Sequence, residues 1–329
     1  MHILVTGATG FLGGVAAREL LRAGHQVTAT GRDPVRAKAL EGSGVHFLAA
    51  DLRRPGAAAA LLPGVDAALH CAARSSLWGR WEDFVQDNVV VSTDLARACS
   101  ERGVRLVHVS TPSVYNSGRL HTNVPESAPI GPRFDSLYAR SKYLAEVQVR
   151  SVLPEAAVLR PRGIYGPGDP SIVPKLAQAL RSGRLPRLSS GEVHTELTHV
   201  LNVVHAARLA LETPAAGVFN VTDGVTTPIW ATLDRLADVL GVARPRSRLP
   251  AWMTARLVEG AAGLLEQVYR LHPDAPEPPL IASGVRLLTR SMTLDLSRAR
   301  ERLGYVPPVH PVQGLEEVMA GLISAGLKP

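Results

Sequence analysis

Tyr138 and Lys142 stand four residues apart in the stretch DSLYARSKYLAE. On a helix, residues with that spacing share a face, so the phenol and the ammonium point the same way. A phenol titrates near 10, too high for efficient proton transfer at neutral pH, and a neighbouring ammonium favours the phenolate and lowers that value. The pair reads as an acid–base couple whose lysine can also bond the hydroxyls of a ribose. The choice of lysine is itself informative. The chain carries 36 Lys plus Arg, yet lysine occurs only at positions 38, 142, 175 and 328. An ammonium is compact with three movable donors, whereas a guanidinium is a planar fork. Such a couple needs a third group on the substrate oxygen. VHVSTPSVY offers three hydroxyls, Ser110, Thr111 and Ser113, and at least two of them serve only the strand-end turn.

The glycines of TGATGFLG, Gly7, Gly10 and Gly13, open the chain between a first apolar run and a first helical pattern. Glycines there permit a tight turn, close approach of backbone N–H groups to a pyrophosphate, and helix–strand packing. Gly7, Thr9, Gly10, Phe11 and Leu12 are the expected cradle for a dinucleotide. Its identity turns on the end of the second strand, where NAD binding wants a carboxylate. TATGRD has Thr30 and Gly31 in that place, followed by Arg32 and Asp33. Arg32 beside an empty acidic position favours NADP(H), with NAD(H) as the alternative and a solvated arginine as the competing explanation.

The elements that must hold these groups follow from the apolar pattern. HILVT, HQVTAT, GVHFLAAD, DAALHCAA, RLVHVST and AVLRP are strand-like runs alternating with helical segments at about 11–23, after Pro34, at 81–102 and around Tyr138. This alternation predicts an α/β Rossmann fold, a doubly wound parallel sheet covered on both faces, over residues 1–165. Residues 166–329 read as a smaller, mostly helical substrate lobe whose chain returns to the core around 196–222. Proline clusters at 273–279 and 307–311 mark loops.

Composition narrows the function classes. Apolar residues make up 46% and charged residues 20%, as in a soluble globular protein. The net charge of +7 permits anionic ligands, but the basic residues are scattered and aromatics are 5%, which argues against nucleic acid. Cys71 and Cys99, placed in a strand and a helix, show no metal-ligand spacing and no disulfide framework, so no metal is expected and a cytoplasmic setting is. MHILVTG reads as a first strand rather than a signal peptide, and no window supports a membrane span. The segment 249–271 carries Trp252, Leu257, Val258, Leu264, Leu265 and Val268 among charges. It is a lid over an apolar pocket, a core helix of the lobe, or an interfacial helix with peripheral lipid contact.

TGATGFLG, AADL (49–52), HCAA (70–73), DNVVVSTDLARAC, VSTPSVY, YARSK and LRPRGIYGPGDP, with the tail LDLSRARERLGYVPPVHPVQGLEEVMAGL, resemble the extended short-chain dehydrogenases/reductases over nearly the whole chain. The resemblance implies a Rossmann domain with a small substrate lobe, Tyr138 as general acid/base, Lys142 as its partner, and Thr111 at the catalytic Ser/Thr position with Ser113 as fallback. It further implies that Asp51 and Leu52 flank an adenine and that Ala72 and Ala73 lie along the cofactor. Asn88 would line the site from its helix, with ordinary packing as the competing reading. The backbone of Pro161, Gly163 and Ile164 would hold the nicotinamide carboxamide. A homodimer through the helices at 81–102 and 136–152 is implied too.

Within the family, sugar-nucleotide epimerases and dehydratases typically carry an asparagine where this chain has Gly163 of RPRG. STPSV, LRPRGIYGPGDP and LWGRW resemble instead the 3β-hydroxysteroid dehydrogenase-like branch, in particular bacterial reductases of 2-alkyl-3-ketoalkanoic acids. The expected substrate is a small molecule, a bulky apolar keto or hydroxy compound; Trp78 and Trp81 could line its pocket or merely close a loop. The alternatives are a nucleotide-sugar epimerase/dehydratase, a non-catalytic NADP-binding regulator, and a lipid- or partner-binding scaffold.

Overall fold

The computed structural model describes residues 1–115, 122–183, 185–188, 192–246, 255–271, 278 and 281–324. Trp252 and nearly all of the 273–279 proline cluster lie outside the described residues. The first half runs β1 (His2–Thr6), α1 (Phe11–Arg22), β2 (Gln26–Gly31), α2 (Pro34–Glu41), β3 (His46–Ala49), α3 (Ala57–Ala60) and β4 (Ala67–His70). It continues with α4 (Trp81–Phe84), a π-helical segment Val85–Val90, α5 (Val91–Arg102), β5 (Arg105–Val109), a 3-10 turn Pro112–Tyr115, α6 (Leu137–Val152) and β6 (Ala157–Pro161). Beyond it lie β7 (Ile164–Tyr165), α7 (Ile172–Arg181), β8 (His194–Glu196), β9 (Thr198–His199), α8 (Val200–Glu212), β10 (Gly217–Val221) and β11 (Thr226–Pro228). Five helices close the chain: α9 (Ile229–Val239), α10 (Ala255–Arg270), α11 (Ala282–Thr289), α12 (Ser297–Leu303) and α13 (Pro311–Ser324).

Seven parallel strands form the central sheet in the order β10-β6-β5-β4-β1-β2-β3. β1 is an unbroken apolar run because both of its faces are covered. Ile3 and Val5 pack with Ala16, Ala17 and Leu20 of α1 and with Ala206, Ala207 and Ala210 of α8. Leu4 faces the other way, onto Leu95 and Cys99 of α5 and Val149 of α6. Strand order reverses at β1, which is flanked by β2 and β4, and the crevice at such a switch point is where sheets of this type take ligands. α8 and β10 come from beyond residue 166 yet belong to this layer.

The lobe has two short ribbons, β8 against β11 and β7 beside β9, and a separate core in which α7, α9 and α13 surround Trp230. α10 packs on α11 through Val258, Ala262, Ala282 and Val285. Arg286 of α11 ties this pair to the sheet domain, bridging Glu259 at 2.6 Å and Asp135 at 2.5 Å, just before α6. Leu257, Leu264 and Val268 of α10 are exposed, as is Leu271 just past its end. Among the described residues no helix is long and apolar enough to cross a membrane.

Two local expectations are revised. The segment 81–102 is not one regular helix; the π turn in its middle carries Asn88 inward. Cys71 lies just past the end of β4 rather than in it.

Candidate active site

Gly7 leaves β1 with φ +66°, and a Cβ on it would lie 2.7 Å from the backbone of Ala72, so the turn exists only because the two strand ends approach without side chains. α1 starts directly after it. Its N-cap, Gly10, offers no side-chain acceptor, and its first turn has no acid. The leading N–H groups are therefore left for an external anion, and the helix dipole favours one there. Thr9, Gly10, Phe11 and Leu12 form this open rim, with Thr9 held by a bond from Arg36 Nη1 to its carbonyl at 3.0 Å. The residues present fit a dinucleotide pyrophosphate.

At the far end of β2, Asp33 is occupied as the N-cap of α2, accepting from Val35 N at 2.9 Å and Arg36 N at 3.1 Å. The Asp-Pro opening of that helix is a sequence signature of such a cap. Arg32 is exposed beside it. Asp51 is bound by Arg53 through Nε at 3.0 Å and Nη2 at 2.6 Å, and that bond holds its carboxyl near 2 against the opposing effect of burial. Leu52 follows it, partly covered.

Ser136 caps α6, accepting from Ala139 N at 3.1 Å, and so fixes where Tyr138 emerges. α6 is locked to the sheet by Glu146, whose carboxylate pairs with Arg160 of β6 while both are 3% exposed. Arg160 Nη1 also donates to Tyr115 OH at 2.5 Å, and Tyr115 donates to Asn220 Oδ1 at 2.9 Å. Removing one partner of such a buried pair costs about 3–5 kcal/mol.

The Thr111 hydroxyl is close enough to the Tyr138 phenol to favour its phenolate. Thr111 Oγ1 donates to Ser113 Oγ at 3.1 Å and accepts from Ser113 N at 3.2 Å. Ser110 is buried, and its hydroxyl has no partner among the described residues. Of the three candidate hydroxyls, Thr111 is the one that acts on the Tyr138 phenol. The expected lowering of the phenol by Lys142 is not found. Burial pushes Tyr138 up to about 12, only partly offset by the neighbouring Thr111 hydroxyl, although the side chain keeps some solvent access. The reason is where Lys142 points: Nζ donates to Val109 O at 2.7 Å and lies 3.4 Å from His108 Nε2. At 1% exposure, burial brings its ammonium down to about 8 against the opposing pull of Glu146.

Two histidines behind Lys142 had no distinguishing sequence signal. His70 and His108 lie with ring centroids 5.3 Å apart, both fully buried and both held neutral by burial, then by the charge of Lys142. Ser92 donates its hydroxyl to Asn88 O at 2.6 Å, so it accepts from His70 Nε2 at 3.0 Å. His70 Nδ1 is then the acceptor for Thr6 Oγ1 at 2.7 Å, and Thr6 Oγ1 accepts from Ala72 N at 3.3 Å. This chain fixes the turn through Ala72 and Ala73.

Asn88 is fully buried and so lies behind the site rather than on its wall. Its amide accepts from Arg74 N at 2.7 Å and donates to Arg74 O at 3.1 Å and Ser141 Oγ at 2.8 Å, clamping the turn after β4 to α6. Trp78 meets Tyr269 of α10 edge-on at 6.4 Å, joining that same turn to the lobe. Trp81 instead stacks under Arg140 on the surface, 4.5 Å from the guanidinium carbon. Beyond β6, Pro161 and Arg162 lead into Gly163, whose φ of +53° turns the chain into Ile164 and the short β7–β9 pairing.

The sequence model of the NAD dependent epimerase/dehydratase family matches residues 3–222. The chain is 32% identical over 332 residues to the 2-alkyl-3-oxoalkanoate reductase of Stenotrophomonas maltophilia (strain K279a), covering 97% of this chain and 99% of that one. It is 31% identical over 335 residues to the decarboxylating sterol-4-alpha-carboxylate 3-dehydrogenase of Mus musculus, covering 96% and 89%. Its fold is similar to the UDP-glucuronic acid 4-epimerase of Bacillus cereus, solved in complex with NAD, with TM-score 0.74 and 22% identity over 98% of this chain and 99% of that one.

Proposed function

Because the chain belongs to the NAD dependent epimerase/dehydratase family, on the 3β-hydroxysteroid dehydrogenase-like branch of the extended short-chain dehydrogenases/reductases, we propose that it is an NADP(H)-dependent reductase of a bulky apolar 3-oxo acid. The reverse reaction, oxidation of the matching secondary alcohol, uses the same groups. The observation that carries this reading is the Tyr138 phenol close to Thr111, one helical turn from the buried Lys142.

The nicotinamide nucleotide, when bound, supplies the hydride. Gly7, Thr9, Gly10, Phe11 and Leu12 would hold its pyrophosphate, Asp51 and Leu52 its adenine, and the backbone of Pro161, Gly163 and Ile164 its carboxamide. Thr111 hydrogen-bonds the ketone oxygen, and Tyr138 protonates that oxygen as it becomes an alkoxide. A phenol raised to about 12 is in its acid form at neutral pH, which suits the reductive direction. Lys142, whose Nζ is held on Val109 O, would bond the ribose hydroxyls of the nucleotide rather than tune the phenol. The preference for NADP(H) rests on Arg32, exposed where Asp33 is already committed as a cap. NAD(H) is the competing cofactor, and the fold neighbour was solved with NAD.

The substrate class comes from what the two relatives' names share. In a 2-alkyl-3-oxoalkanoate and in a sterol-4-carboxylate oxidised at position 3, a carboxylate sits on the carbon next to the oxygen-bearing one. A nucleotide-sugar substrate is not favoured, since Gly163 stands in the place of the asparagine. We extend the proposal to a homodimer through the helical stretch of α4 and α5 and through α6, working in the cytoplasm; two free cysteines are consistent with the latter. The test is NADPH consumption with a long-chain 2-alkyl-3-keto acid. Tyr138→Phe should lower turnover by roughly 10²- to 10⁴-fold with NADPH still bound. Equal turnover by the variant would overturn the assignment.

A further inference from the structure

Arg162 follows the last residue of β6 and is a cation that the proton-transfer scheme leaves unused. It is 8% exposed. Its Nε donates to Thr195 Oγ1 at 2.9 Å and its Nη1 lies 2.9 Å from Met292 Sδ. Nη2 makes no hydrogen bond among the described residues. A hydroxyl and a thioether are weak partners for a buried guanidinium, which normally requires an anion. No carboxylate of the described residues lies within ion-pair distance. Glu196 acts on it from further off, but its Oε2 is taken by Leu294 N at 2.8 Å. Burial accordingly brings Arg162 down to about 10. Arg160, two residues earlier and equally enclosed, is fully paired with Glu146 and is raised instead.

The position of Arg162 is set by the sheet. β5 and β6 run parallel with Val109 opposite Leu159, and Ser110 N donates to Leu159 O at 2.7 Å. Carried two residues past the end of β5, that register would set the backbone of Thr111 level with Pro161, with Arg162 next in line. Met292, against the guanidinium, packs with Val114 and Tyr115 of the turn that begins directly after Thr111. The backbone of Arg162 thus stands one residue past the level of Thr111, whose hydroxyl is assigned to the ketone oxygen, and Met292 bridges its guanidinium to the turn after Thr111.

We propose that Arg162 is the receptor for the substrate carboxylate, pairing through its free Nη2 edge with a carboxylate two bonds from the ketone carbon and so presenting the ketone oxygen to Thr111 and Tyr138. The assignment rests on the reading of the substrate as a 3-oxo acid. It gives the site a second anchor, one that a simple ketone cannot use. It also keeps the acid ionised. A 3-oxo acid loses carbon dioxide when its carboxyl proton passes to the ketone oxygen as the C–C bond breaks, and a carboxylate held by a guanidinium has no such proton.

The experiment compares a long-chain 2-alkyl-3-keto acid with its methyl ester in NADPH oxidation by wild type, Arg162→Met and Arg162→Lys. Arg162→Met should raise KM for the acid by roughly 10²-fold, the loss of one charge-assisted contact, with a smaller change in kcat. Turnover of the ester should change little, and Arg162→Lys should recover part of the acid's KM. Equal losses on acid and ester, or an unchanged KM for the acid, would overturn the proposal. Should Arg162→Met fail to fold, Arg162→Gln, which can keep a bond to Thr195, makes the same comparison. If wild type reduces neither compound, the proposed function falls. Calorimetric binding of the 3-hydroxy-2-alkyl acid to NADP-loaded protein then tests the receptor alone: binding lost in Arg162→Met supports it, and no binding to wild type overturns it.

Discussion

Replacing Lys142 with methionine should make the protein more stable and nearly inactive at once. The ammonium is 1% exposed, and its pKa falls from 10.5 to about 8 on folding. A depression of that size corresponds to roughly 3 kcal/mol of stability withheld at pH 7, at 1.36 kcal/mol per pKa unit. Methionine removes this cost but strands the carbonyl of Val109, which now accepts from Nζ at 2.7 Å, for a loss of about 1 kcal/mol. The net expectation is a gain of about 2 kcal/mol. The pH dependence has a definite sign. Between about 8 and 10.5 the unfolded chain holds a proton on Lys142 that the folded chain has given up, so wild-type stability rises with pH across that window. The variant lacks this rise, and its advantage shrinks toward pH 10. Urea unfolding at pH 7, 8, 9 and 10 on both proteins measures the effect. A variant less stable than wild type at pH 7, or parallel pH profiles for the two, would refute the reasoning that burial governs this lysine.

At the adenosine end, Arg32→Ser should reduce the ratio of NADPH to NADH efficiency by roughly tenfold or more, from the loss of a charge-assisted contact with a 2′-phosphate; an unchanged ratio would show that Arg32 is only a solvated side chain. Light scattering should give a dimer mass for wild type, and a single species at monomer mass would remove the proposed α5–α6 association.

The sheet was readable because parallel strands buried on both faces are written as short apolar runs, HILVT and AVLRP among them. The glycine turn was readable because its parts are adjacent in the chain. Tyr138 and Lys142 could be paired from helical spacing alone, but not the direction in which Lys142 points. That depends on Val109 and His108, more than thirty residues away, and it reversed the expected shift of the phenol. For Asn88 the sequence leaves a pocket position and ordinary packing both open. A π turn rotates it inward, and nothing in DNVVV announces one. Asp33 did carry a usable signal, the Asp-Pro start of a helix, which accounts for its carboxylate without a ribose. Nothing in RPRG distinguishes Arg162 from the paired Arg160, because an unpaired cation is a property of the packed state.

The return of α8 and β10 to the central sheet bears on how such a protein can be recombined. Ala206, Ala207 and Ala210 seal the layer behind β1, and β10 supplies its outer edge beside β6, though all lie beyond residue 166. A chimera joined at that residue would exchange the wall of the cofactor half along with the pocket of the other. New substrate specificity is more readily grafted as two separate insertions, one between β6 and α8 and one after β10, with the stretch 200–221 inherited unchanged. The protein is modular in space but not along its chain.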